Sequence, residues 1–241
     1  MKTLCEITGG SRLYGLDTHD SDIDTRGVFI NTDPGKILGL NRGEILKKES
    51  SDFLMFELCH FLRHLARTNT QVIELLYAQG FTVITSEFQK IQENRNRLMD
   101  SKKLFVSLNG YIHNERRLAN GERMGNLGSK RRNQVEKYGF SPKNFSHLLR
   151  LAHCGAAFFL TSEYPVHLPS HDMEFRNLLF SIKTEPEKYT KERLNELSDA
   201  AMEKLESAFK NRREDFNFDM DFANQLCLDF YLPFLQEAHN A

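Results

Sequence analysis

The chain has 241 residues, 40% hydrophobic and 27% charged, a length and balance that suit one elaborated domain or a core with a helical appendage. Its 32 Lys and Arg almost cancel 33 Asp and Glu, for a formal charge of -1, which excludes a uniformly basic coat for nucleic acid but not a local basic patch. No run nears the ~18 apolar residues of a membrane span, MKTLCEITGG lacks the apolar stretch of a signal peptide, and Cys5, Cys59, Cys154 and Cys227 form no Cys-x-x-Cys pair, so reduced thiols in a cytoplasmic protein are expected.

Leu4 to Thr8 reads as a strand stopped by Gly9-Gly10. Ser11 to Leu16 follows as a short helix. Ile23 to Ile30 reads as a second strand, with Gly27 inside it, and Asn31-Thr32-Asp33-Pro34-Gly35 as a turn. Glu44 to Lys48 and Phe53 to Phe56 are further strands around the polar Glu49–Asp52. From Glu57 the period changes. Leu58, Phe61, Leu62 and Leu65 fall at i, i+3, i+4 and i+7, the stripe of an amphipathic helix. Val72, Ile73, Leu75 and Leu76 predict a second helix, and Phe81 to Ile84 an edge strand. Helices are predicted at 101–118, 143–160, 173–182, 191–210 and 221–238. Asn120–Lys130, with Gly121, Gly125 and Gly128, reads as a mobile loop. The pattern is α+β: a small mixed-sheet core over residues 1–100, then a mostly α-helical domain over 101–241.

The informative segment is GGSRLYGLDTHDSDIDTRGVFI, residues 9–30. On a strand Asp22 and Asp24, at i and i+2, point to the same face, with Ile23 turned into the core. A divalent cation relieves the repulsion of two such carboxylates, and hard oxygen ligands suit magnesium, which bridges to phosphate oxygens. Gly10-Ser11 lies at a strand-to-helix turn, where glycine admits close approach and unpaired N–H groups receive anions. Asp17 and Asp20 read as turn residues. Arg12 and Arg26 are nearby cations for a triphosphate. The alternatives are a surface position for Arg12 and, for Arg26, neutralisation of the acids. A lone Asp-x-Asp is more often a solvated turn; Gly-Ser at this distance is what lifts it above that reading.

Apolar-Gly-Ser, about ten residues, then Asp-x-Asp resembles the signature of the polymerase-beta-type nucleotidyltransferases. Gly10-Ser11-Arg12-Leu13-Tyr14-Gly15 with Asp20-Ser21-Asp22-Ile23-Asp24 is similar to a narrower group, encoded beside RNA-repair ligases in bacteria and found in phages. Asp52 before Phe56-Glu57-Leu58, Asn69, Glu74-Leu75-Leu76, Tyr138-Gly139, Lys143, His147 and Arg150 carry the resemblance across roughly residues 4–165. His19, where the group often has Pro, and the bulky Phe145 depart from it. The resemblance implies a nucleotidyltransferase core and transfer of a nucleoside monophosphate from a triphosphate, ATP first, to an acceptor hydroxyl. It implies a catalytic and metal-holding set of Asp22, Asp24 and Asp52, with magnesium or manganese stabilising the attacking and leaving oxygens. Glu57 reads as a helix cap or an aid to the metal site, with the cap preferred.

A second locus lies between residues 111 and 143, where eight Lys and Arg meet three Asp and Glu, a net of +5. Arg116, Arg117, Lys130, Arg131, Arg132, Lys137 and Lys143 make a strip suited to a triphosphate or an RNA backbone. Tyr138 and Phe140 offer stacking surfaces. Asn144, His147 and Arg150 share a helix face, expected to line the acceptor side. A solvated helix face is the plainer alternative. His60 and His64 bring no third ligand and read as surface residues. The aromatic C-terminus is expected to pack the last helix on the body or to form a dimer face. The acceptor expected first is an RNA 3′ end; nucleotidylation of a partner protein and a non-catalytic nucleotide- or RNA-sensing module are the rivals.

Overall fold

The computed structural model describes residues 1–39, 46–47, 52–123 and 128–239. Contacts divide the chain into two compact units: Met1–Asp100 with Phe216–Ala241, and Ser101–Asp215. The fold is α+β, with a mixed sheet in the first unit and helices throughout the second.

In the first unit the strands β1 (Lys2–Thr8), β2 (Thr25–Ile30), β3 (Leu46–Lys47), β4 (Phe53–Glu57) and β5 (Val83–Ile84) form one sheet in the order β3-β4-β2-β1-β5. β1 pairs antiparallel with β2 and β5, β2 runs parallel to β4, and β3 is antiparallel to β4. β2 is central, so Val28, Phe29 and Ile30 are all buried. Gly27 is tolerated there because the backbone needs it: a Cβ would lie 2.2 Å from the Cys5 carbonyl oxygen and 2.7 Å from the Met55 sulfur. β5 is an edge strand of two residues, and of the expected Glu44–Lys48 strand only Leu46–Lys47 is described.

Helices α1 (Gly10–Leu13), α2 (Pro34–Leu38), α3 (Leu58–Ala66), α4 (Thr70–Tyr77) and α5 (Ser86–Glu93) connect or cover the strands. Leu58, Phe61, Leu62 and Leu65 of α3 are all buried, at roughly 1.5–3 kcal/mol of transfer free energy each. Glu57 starts α3, its carboxylate accepting from the Cys59 and His60 amides. It also accepts a hydrogen bond from the Tyr231 hydroxyl. Asn69 and Thr85 cap α4 and α5 in the same manner.

The second unit holds α6 (Ser101–Ala119), α7 (Ser129–Tyr138), α8 (Pro142–Thr161), α9 (Met173–Thr184) and α10 (Lys191–Lys210). α8 is its axis, packed by α6, α9 and α10. Phe105 and Phe209 stack with centroids 4.1 Å apart against Phe159. The loop expected at Asn120–Lys130 lies partly outside the described residues, at 124–127, and Ser129 and Lys130 already belong to α7.

The final helix, α11 (Met220–His239), lies within the first unit, not with the helical segment before it. Among the described residues, polar ties help hold it there besides its apolar face. Arg97 binds Asp219 at 2.7 Å, Lys90 binds Asp229 at 2.8 Å, Tyr231 reaches Glu57, and the sulfurs of Cys59 and Cys227 meet at 3.5 Å. Leu226, Phe230 and Tyr231 are buried.

Candidate active site

The motif folds differently from the strand expected of it. β2 begins at Thr25, and residues 21–24 form an irregular approach to it. Ile23 is 68% exposed and so is not the core anchor the strand reading required. Asp22 is exposed and Asp24 half-buried. Gly9 N–H donates to the Asp24 carbonyl at 2.8 Å, extending the antiparallel β1/β2 pairing by one residue, and upstream of it a turn closes where Ser21 N–H reaches Thr18 O at 3.0 Å.

That departure still gathers the acids. Thr25 and Phe53 are partners in the parallel β2/β4 register, so Asp24 and Asp52 stand side by side at the starts of neighbouring strands. The Thr25 amide donates to the Asp52 carbonyl at 2.5 Å. Asp24 Oδ2 lies directly over Gly10, which has φ +62, and a Cβ on Gly10 would meet that oxygen at 1.8 Å. Gly10 is thus a glycine for two reasons, backbone conformation and space. Ser11 follows it, half-buried, in the single turn of α1.

Arg26 turns into the same cluster. Its guanidinium binds Asp24 Oδ1 at 3.0 Å and the carbonyls of Thr25 and Asp52 at 2.9 and 3.1 Å. It neutralises Asp24, the role weighed against phosphate contact. Arg12 instead braces the loop, with Nη2 on Ser21 O at 3.2 Å and Nη1 3.6 Å from Asp17. The Tyr14 hydroxyl donates to the buried Glu74 at 2.5 Å, tying the turn after α1 to α4. Nothing in the local pattern announces that pairing, since the two residues are 60 positions apart. His19 projects into solvent, where the replacement of a proline touches none of these groups.

The donors here are carboxylate oxygens, the chemistry magnesium or manganese prefers. Among the described residues no three His, Cys, Asp or Glu side chains enclose a metal position. Asp22, Asp24 and Asp52 fit a hard cation in kind, and Arg26 is the countercharge on Asp24.

The second locus divides into groups with different tasks. Lys130 and Arg132 are exposed and Arg131 half-buried on α7, a helix with no buried residue. Lys143 is exposed at the start of α8. Arg116 is spent on structure, paired with Asp199 and with Asn195 at 2.9 Å, and Arg117 lies 3.5 Å from Glu122. Phe140, only 1% exposed, packs on Phe145 and offers no stacking surface; Phe145 is bulky because it fills this core. The half-buried Tyr138 ring carries the Lys137 ammonium 4.8 Å from its centroid.

Asn144 is buried and does not line an open face. It accepts from Ser141 Oγ at 2.6 Å and donates to the buried Glu115 at 2.7 Å. Burial raises the Glu115 pKa, opposed by the Asn144 bond and the Arg131 charge. Arg150 is 1% exposed, and Nη2 lies 3.4 Å from His147 Nδ1. Burial, then the charges of Arg150, Arg131 and Lys143, push His147 down to about 3, so its imidazole is neutral at physiological pH. It meets Tyr111 edge-on at 5.7 Å. The sequence locus therefore comprises an exposed basic helix and a buried polar network beneath it.

His60 and His64 are half-buried, with Nε2 atoms 2.9 Å apart and Asn69 at 3.3 Å from His64 Nδ1. Burial lowers both pKa values.

A model of the RNA repair pathway DNA polymerase beta family (RlaP) matches residues 1–229, and the chain belongs to that family. The match runs well past residues 4–165, which carry the sequence resemblance, and into α11. No curated protein and no solved structure matches the chain.

Proposed function

We propose that this polymerase-beta-type family member transfers a nucleoside monophosphate from a triphosphate, ATP first, to the 3′ hydroxyl of an RNA, releasing pyrophosphate. The reading rests above all on the convergence of Asp24 and Asp52 at adjacent strand starts, with Asp24 seated on Gly10. Asp22, Asp24 and Asp52 would hold magnesium or manganese, which when bound neutralises phosphate oxygens and acidifies the attacking hydroxyl. Ser11 and the backbone beside Gly10 receive the triphosphate. Arg26 shares its charge between Asp24 and the entering phosphates. Arg12 and Tyr14 act by positioning: one holds the loop that presents Asp22, the other the turn behind Ser11. On the second unit, Lys130, Arg131, Arg132 and Lys143 bind the RNA backbone, while His147, Arg150 and Asn144 keep α8 and its basic neighbours in place.

The test is incorporation from each α-labelled triphosphate into total RNA and, in parallel, total protein, with magnesium. Label on RNA that disappears in Asp22→Asn and Asp24→Asn is the expected result. Label on protein would redirect the acceptor to a polypeptide hydroxyl. Undiminished labelling in both variants would overturn the site.

A further inference from the structure

Cys59 lies in the first turn of α3 and Cys227 near the middle of α11, and their sulfurs are 3.5 Å apart across 168 residues of sequence. Both are half-buried, whereas Cys5 and Cys154 are fully enclosed. They share the wall of a cavity of about 310 Å³ with Glu57, Arg63 and Tyr231, which gives a small oxidant a route to the sulfurs. Either thiol can donate to the other across that gap. The Arg63 charge favours a thiolate on both sulfurs, and burial opposes it on both. The thiolate is the nucleophile in such a pair, so the sulfur that ionises attacks first and its neighbour stands within reach to resolve it.

We propose that Cys59 and Cys227 form a reversible disulfide on exposure to a hydroperoxide, stapling α11 to α3. One thiolate attacks the peroxide, the O–O bond breaks, that sulfur becomes a sulfenic acid, and the departing hydroxide takes up a proton as water. The second sulfur then attacks the first; the S–S bond forms, the S–O bond breaks, and the hydroxyl departs as water with the second thiol's proton. Two thiols and one hydrogen peroxide yield one disulfide and two waters. The sulfurs need an approach of about 1.5 Å to reach the bonded distance near 2.05 Å. A bridge of this kind in a reducing compartment is transient and sensing.

The folded wild-type protein should be treated with hydrogen peroxide at neutral pH, quenched with N-ethylmaleimide, denatured and mapped without reductant. The expected product is an intramolecular Cys59–Cys227 peptide, with Cys5 and Cys154 recovered as alkylated thiols after denaturation. Dithiothreitol should reverse it, and the oxidised protein should melt several degrees above the reduced one. In Cys59→Ser the bridge should vanish and dimedone should trap a sulfenic acid on Cys227. Recovery of both cysteines as thiols, over-oxidation of each without bridging, or linkage only between chains would overturn the proposal. The wild-type map decides even where the variant fails to fold.

Discussion

Gly10→Ala separates the two reasons for a glycine beneath Asp24. The new Cβ would stand 1.8 Å from Asp24 Oδ2, and ordinary contact begins near 3.4 Å, so the carboxylate must retreat by about 1.6 Å. Retreat on that scale breaks the 3.0 Å bond to Arg26 and displaces the Asp24 carboxylate from its seat on Gly10. A misplacement of about 1 Å at a reacting centre costs on the order of 100-fold in rate. The left-handed backbone adds about 1–2 kcal/mol of instability for any residue with a Cβ. Gly80 supplies the control: its φ is +75 with nothing within 4 Å of a Cβ, so Gly80→Ala carries the backbone cost alone. Thermal melting and magnesium-dependent incorporation would be measured on both. A loss of melting temperature in both, larger in Gly10→Ala, with a ~100-fold loss of transfer in Gly10→Ala only, is expected. Wild-type transfer by a folded Gly10→Ala protein would refute the account of Asp24.

Asn144→Ala leaves the buried Glu115 carboxylate without its amide donor, a cost of about 1–3 kcal/mol; at about 2–4 °C per kcal/mol for a chain of this size, melting should fall by roughly 2–12 °C. His147 is held neutral in the folded state by a pKa lowered to about 3, while the unfolded chain takes up its proton near pH 6.5. Stability from this group is therefore complete above that pH and drains away as pH falls, by at most about 2 kcal/mol between pH 6.5 and 5; His147→Gln should melt with a shallower acid dependence than wild type, and equal slopes would refute the assignment. Replacing Lys130, Arg131 and Arg132 with Ala should weaken RNA binding and reduce its log-salt slope by about 2 for single-stranded RNA, read by fluorescence anisotropy across a salt series.

Periodicity made the long helices legible. α10 is found at Lys191–Lys210, as its stripe predicts, and every apolar residue singled out in α3 is buried. The stripe method fails where a helix has little to bury. α7 buries nothing, and its one clear signal is Gly139, left-handed at φ +78, which ends it. α5 rests on Phe88 and Ile91 alone, too few for a period, although Thr85 before them is a capping residue. The acids were legible as a motif and illegible as geometry. Alternation placed Asp22 and Asp24 on a strand, but the Gly9–Asp24 backbone bond ends the approach loop only at residue 24. Asp52 acquires its place from the parallel β2/β4 pairing, and Glu115 and Asn144 meet across 29 residues; neither relation leaves a local trace.

The return of α11 to the first unit has a consequence for synthesis on the ribosome. Glu57 and Tyr231 are 174 residues apart in sequence, and Ser101–Asp215 must be translated between them. At roughly 5–20 residues per second, the sheet and α3 wait about 10–35 s before their covering helix exists. Throughout that interval the nascent chain presents an uncovered Cys59 and a Glu57 carboxylate still lacking its tyrosine. The insert has time to fold before its host is finished, and a nascent chain stopped short of α11 exposes the apolar seat of Leu226 and Phe230 to chaperones and proteases.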